Sequence, residues 1–272
     1  MKRRMMVVPA LLFLLTNCAR EEEPVSSGID PRADELMREM SDQLAQTQRF
    51  SFETSEIRDV VDPDGTVRQL SFSHKTFVER PDRVRREVSV GDTVVTVVYT
   101  QGSLGVHRSD HKFYAQAQIP DTLDAALDFL GERLDIRMPI GDMLYSVPYE
   151  SYVDSTTVGR YVGSETIDGV SCHRLAFEHP GIDYEMWIRD GEQPLPCKLA
   201  LTYKLDDGAP KSVLTFSNWD LAPDFPPELF VYTPPEGYAR IAFLALEPES
   251  GGESPAGNVE TESGTTPSST GN

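Results

Sequence analysis

The chain has 272 residues, with 44 acidic against 25 basic side chains and a net charge of −19. A surface of that sign repels phosphate backbones and anionic head groups, which excludes nucleic-acid binding and any membrane attachment through a basic patch. Residues 32–246 are enough for one substantial domain with its own core.

In chain order, Met1-Lys2-Arg3-Arg4 is cationic, and Met5 to Leu15 is apolar except for Pro9. These are the n-region and h-region of a secretory signal peptide. A spanning helix needs about 20 apolar residues. This run is shorter, and Glu21, Glu22 and Glu23 follow it. Leu15-Thr16-Asn17-Cys18 resembles the lipobox of bacterial lipoproteins, with Asn17 where Gly, Ala or Ser is usual. The resemblance implies that residues 1–18 are removed or processed as a signal peptide and that Cys18 is acylated, so that the membrane is reached through an N-terminal lipid. Ala19 and Arg20 after the cysteine imply outer-membrane sorting, facing the periplasm; ordinary cleavage nearby would leave a soluble periplasmic protein. Residues 19–31 and 247–272 consist largely of Glu, Ser, Gly, Thr and Pro. They read as a flexible linker and a disordered acidic tail, because such segments bury too little apolar area to offset the entropy of ordering.

Leu36, Met37, Met40 and Leu44 recur at spacings of three and four within 32–48, which predicts an amphipathic helix capped by Asp30-Pro31. From Phe50 the period becomes two, and Asp62-Pro63-Asp64-Gly65 turns the chain into Leu70 and Phe72, a β-hairpin. Alternation continues through Val84–Val90, 93–100, 104–108 and 112–116. A second helix spans 121–136, with Leu123, Leu127, Leu130 and Leu134 on one face, and 141–145 adds a turn. Strands are expected again at 149–153, 157–167, 170–178, 184–189, 198–204, 212–218 and 230–232, with turns at Asp168-Gly169, Asp190-Gly191 and Asp207-Gly208.

The fold class is therefore α+β, an antiparallel sheet of eleven or twelve strands with helices before and within the series. A sheet this wide curls, and its concave face must be covered by the helices, a ligand or both. Candidates to line that space are Leu36, Met40 and Leu44 on the first helix and Leu127 and Leu130 on the second. Phe50, Phe52, Leu70 and Phe72 on the first hairpin, together with Trp187, complete the set.

Cys172 and Cys197 would sit on the outer strands of a three-strand meander, about 9.5 Å apart. A disulfide needs less than about 7 Å, so pairing requires Cys197 to lie on the loop side of its strand; two separate thiols are the other reading. His107 and His111 flank Asp110, and His173 follows Cys172. Adjacent strand residues point to opposite faces, which argues against a Cys–His pair, and no metal site, cofactor or catalytic residue is assigned. Enzyme motifs such as a phosphate loop or nucleophile elbow are missing from the sequence. Arg83, Arg85 and Arg86 form a basic cluster, read either as an anionic head-group contact or, preferentially, as the charged edge of an exposed strand.

Several phrases carry a resemblance. Arg80-Pro81-Asp82-Arg83-Val84-Arg85, Met138-Pro139-Ile140-Gly141-Asp142-Met143-Leu144, Val170-Ser171-Cys172-His173-Arg174-Leu175 and Pro194-Leu195-Pro196-Cys197-Lys198 are among them. With Asp183-Tyr184-Glu185-Met186-Trp187-Ile188 and Phe230-Val231-Tyr232-Thr233-Pro234-Pro235, they resemble predicted periplasmic proteins of unknown function in the superfamily of the lipoprotein carriers LolA and LolB. That resemblance implies an incomplete β-barrel of about eleven strands, helices plugging its mouth and an apolar cavity for acyl chains. Two functions fit: a non-catalytic envelope lipoprotein that binds a lipid or the acyl chains of a lipoprotein, or a protein-interaction or stress-signalling module with a closed cavity.

Overall fold

The computed structural model describes residues 28–134 and 136–243. The expected signal peptide, Cys18 and the acidic tail lie outside the described residues. Helix α1 (Pro31–Gln46) starts where Asp30 accepts hydrogen bonds from the Arg32 and Ala33 amides, with Pro31 in the first turn. Just before this helix, Ile29 bridges to Gly159 in the sheet.

Two meanders make the sheet. The first runs β1 (Arg49–Val61), β2 (Val67–Glu79), β3 (Arg83–Val90), β4 (Thr93–Thr100), β5 (Ser103–Arg108) and β6 (Phe113–Gln118). The second runs β7 (Val158–Ile167), β8 (Val170–Glu178), β9 (Ile182–Arg189), β10 (Pro196–Tyr203) and β11 (Lys211–Asp220). Antiparallel pairing of β1 with β11 joins them, and the two-residue β12 (Ala239–Arg240) adds in parallel to β6. The order is β12-β6-β5-β4-β3-β2-β1-β11-β10-β9-β8-β7, an open twelve-stranded sheet with β12 and β7 as its edges. It is an incomplete barrel, and one face carries the helices.

Alternation decides what that face holds. Phe50, Phe52, Thr54 and Glu56 of β1 stand beside Val78, Thr76, His74 and Phe72 of β2. Farther along, Leu214, Leu199, Met186 and Leu175 form a row across β11, β10, β9 and β8. The apolar stripe of α1, with Ala33, Leu36, Met37, Met40 and Leu44 fully buried, closes over this second half together with α3 (Pro148–Val153) and a 3-10 turn at Gly141–Leu144. Helix α2 (Leu123–Leu134) lies over the first half. Arg80 ties the connection down by donating to the Leu144 and Met143 carbonyls at 2.9 and 3.3 Å. Among the described residues no helix is long and apolar enough to cross a membrane.

Two elements differ from expectation. Residues 149–153 are helical, not a strand: Pro148 supplies a first-turn φ, and five residues are too few to separate the two periods. Tyr152 turns inward there, and its carbonyl accepts from the Tyr184 hydroxyl at 2.6 Å. Residues 230–232 form no strand either, because prolines at 226, 227, 234 and 235 remove ladder donors. A 3-10 turn at Pro227–Phe230 leads this segment across the other face of the sheet. Phe230 is buried there, its carbonyl accepting from Thr100 Oγ1 at 2.6 Å, and Tyr232 lies on Gly105.

Candidate functional site

The two halves of the helix-covered face differ in what fills them. Under α1 the side chains meet in a dense core. Under α2 they leave a cavity of about 340 Å³, lined from the sheet by Val84, Val88, Val97, Tyr99, Leu104 and Val106 and from above by Leu123, Ala126, Leu127 and Leu130. Met138, Pro139, Leu144 and Phe243 close its ends. A volume of this size lies at the small end of ligand pockets, and its walls are apolar as such pockets usually are.

The polar lining of the cavity is Arg58, His74 and Arg86, which form one wall, and Arg137, which pairs with Asp206. Behind that wall stands Glu56, 1% exposed. Its carboxylate accepts from Arg58 Nε at 2.7 Å, from Ser212 Oγ at 2.5 Å and from His74 Nε2 at 2.8 Å. Burial pushes the Glu56 carboxyl up, but the hydrogen bonds from His74, Arg58 and Ser212 outweigh it and hold the pKa down at about 2. Arg86 NH2 lies 3.1 Å from His74 Nδ1. A guanidinium can only donate, so Nδ1 accepts and the proton of the imidazole sits on Nε2, pointing at Glu56. His74 is thereby a neutral bridge between a carboxylate and a guanidinium. Its pKa is lowered, by burial first and by the two arginines, against the opposing pull of Glu56. Burial also lowers that of Arg86, to about 10, which still leaves it charged at neutral pH.

The residues expected to line a cavity separate into three groups. Phe72, Leu127 and Leu130 do line it. Leu36, Met40, Leu44, Phe50 and Phe52 do not; they are buried in the core under α1, where that helix fits closely enough to leave no room. Leu70 is half-buried on β2 beyond the cavity rim. Trp187 is on the opposite face altogether, since Tyr184, Met186 and Ile188 take the inward positions of β9. Its indole packs with Cys172 and Cys197, lies under Lys198 and donates to Glu165 at 2.6 Å.

The same face holds the Cys172–Cys197 disulfide, with Cα atoms 6.8 Å apart. The register of β9 with β10 shifts between Pro196 and Lys198. Cys197 is the extra residue of that bulge, at the strand's loop end, which turns it to the outer face and shortens the reach across β9. His173 stands apart from the disulfide and meets Asp190 and Tyr161. His107 lies on the outer face beneath Tyr232 and Tyr238.

The arginine cluster is not an exposed edge. Strand β3 is internal to the sheet, and neighbouring residues take opposite faces: Arg85 pairs outward with Glu87 at 2.8 Å, while Arg86 turns into the cavity wall. Sequence reasoning missed Glu56 and His74, whose signal was a polar residue at an inward position of each hairpin strand.

A family model described as predicted periplasmic protein (DUF2092) matches residues 33–244. The chain belongs to this family. The DUF2092 match spans all but the first two residues of α1, the whole sheet and every residue that lines the cavity, from Arg58 to Phe243. It is the kind of family that the recurring sequence phrases resemble. No curated protein matches this DUF2092 chain. Similar solved structures include the lipoprotein LppX of Mycobacterium tuberculosis, at 13% identity over 72% of this chain and 98% of that one, with a TM-score of 0.41. A LolA superfamily protein from Nitrosomonas europaea is 13% identical over 74% and 97%, with a TM-score of 0.35. The MucA/MucB complex of Pseudomonas aeruginosa gives 16% over 70% and 56%, with a TM-score of 0.38.

Proposed function

We propose that this periplasmic-family protein binds a hydrophobic ligand, a lipid or an acyl chain, in the cavity under α2 and releases it unchanged. The single observation that supports this reading is the cavity itself: about 340 Å³ of apolar-walled space between α2 and β2–β5. Water gains few hydrogen bonds against such walls, whereas an apolar ligand recovers about 25 cal/mol for each Å² taken from water. We further propose that the chain is held at the outer membrane, facing the periplasm, through an acyl group on Cys18. Mass spectrometry of the mature N-terminus decides that point, since an unmodified Cys18, or a start beyond it, contradicts it.

Binding is tested with the neutral fluorophore N-phenyl-1-naphthylamine. Wild-type protein is expected to bind it, and Leu130→Trp, which grows from α2 into the cavity, to weaken binding about tenfold, a cost of about 1.4 kcal/mol. Equal binding by a folded Leu130→Trp variant contradicts the assignment of the ligand to this space.

A further inference from the structure

The whole chain has many more acidic than basic residues, yet the cavity lining contains Arg58, Arg86 and Arg137 and no carboxylate. Two of these charges are answered locally. Arg58 is paired with Glu56 at 2.7 Å, and Arg137 forms an ion pair with Asp206. Arg86 is different. It is 9% exposed, and among the described residues its one hydrogen bond goes to His74 Nδ1, on a neutral ring. Its Nε is buried and makes no hydrogen bond. Glu56 attracts it only from the far side of that imidazole and is already shared by Arg58, Ser212 and His74.

Taken as a unit, Glu56, Arg58, His74 and Arg86 hold one buried carboxylate, one buried guanidinium, one guanidinium about a third exposed and a neutral imidazole. One positive charge is left over, at the border of an apolar space. A buried charge and a buried N–H without partners are each costly, and an anion that brings its own apolar body into the cavity relieves both. A guanidinium favours a planar oxyanion, which it can meet through two parallel hydrogen bonds. The cavity is too small for two long chains and a bulky head group, and it offers no second uncompensated cation.

We propose that the ligand is a single-chain anionic amphiphile of the long-chain carboxylate class, its head group on the Arg86 guanidinium and its chain between α2 and β3–β5. This rests on the reading of the α2 cavity as a lipid site and adds the class of ligand.

The test is calorimetric titration of full-length mature protein with dodecanoate, dodecan-1-ol and acetate, below the aggregation concentration of each. Wild type is expected to bind dodecanoate at least about tenfold more tightly than the alcohol, as one charge-assisted contact gives, and to bind acetate undetectably. Arg86→Met is expected to bring dodecanoate to within about threefold of the alcohol measured on the same variant, and Arg86→Lys to restore part of the difference. Equal binding of acid and alcohol by wild type overturns the head-group site and leaves the lipid cavity standing. So does an unchanged preference in Arg86→Met. Acetate competing as well as dodecanoate overturns the amphiphile and leaves an anion site. If neither twelve-carbon probe binds, the cavity reading falls and this proposal with it. The wild-type comparison needs no substitution, so it decides the matter even if Arg86→Met fails to fold.

Discussion

Glu56 holds together the polar wall of the cavity, and its loss is the most consequential single change there. Glu56→Gln keeps the shape but leaves Arg58 and Arg86 with no anion between them. Glu56 is buried but its partner Arg58 is about a third exposed, so the variant is expected to lose about 1–3 kcal/mol in urea unfolding at pH 7. A loss below 1 kcal/mol would mean that the wall is solvated. The same groups set the response to acid. His74 resists protonation in the fold while the unfolded histidine takes a proton near pH 6.5, so stability is full above about 6.5 and begins to fall as pH drops through that value. The carboxyl of Glu56 is held at about 2 against an ordinary 4.5. Its contribution is present above pH 4.5 and is lost between there and pH 2. Denaturation midpoints measured from pH 8 to pH 3 are expected to fall in that order in wild type, and to lose the lower step in Glu56→Gln. Of this network the sequence singled out only Arg86, as one of a basic cluster, and not its partners. A charged residue at an inward strand position reads as solvated until its partner on the next strand is known, and Glu56 meets His74 and Ser212 only through pairing across 18 and 156 residues.

Among the elements, the period-two and period-three-to-four patterns were readable because most strands run six residues or more and α1 has a full stripe and a cap. The segment at 149–153 was not, since a single helical turn and a short strand place apolar residues alike over such a length. The outer strap from Pro226 to Tyr238 was unreadable for another reason: its partners are outward residues of the sheet as different as Arg85, Thr100, Gly105 and His107, which share no sequence pattern. Gly105 is the clearest of these. A Cβ there would stand 2.1 Å from the Tyr232 ring, so Gly105→Ala is expected to cost about 1–3 kcal/mol by lifting the strap, measured by thermal unfolding. An unchanged midpoint would show that Tyr232 is not seated on β5. The disulfide depends on one further local feature, the bulge at Cys197, which no spacing rule reveals. Its removal in Cys172→Ser/Cys197→Ser opens a loop of sequence separation 25 and is expected to cost about 3 kcal/mol without altering probe binding, because the bridge lies on the face away from the cavity.

For the molecule as a whole, the wide antiparallel sheet and its apolar helices followed from periodicity, the incomplete barrel from the family resemblance, and the open twelve-stranded order bears them out. What the sequence could not divide was the interior. Leu36, Met40, Phe50 and Phe52 have the same character as Leu127 and Leu130, yet the first four are core and the last two face a cavity. The difference lies in how closely each helix approaches the sheet, a property of the assembled fold rather than of any one segment. The half under α1 buries that helix's whole apolar stripe, and the half under α2 holds the apolar cavity. The most direct measurement is native mass spectrometry of the protein purified without detergent from its own cell envelope. A single amphiphile of defined mass on each chain, lost in Leu130→Trp, is the result expected. A wild-type chain carrying no such mass, with a side-chain-filled interior under α2 in an experimental structure, would contradict the account.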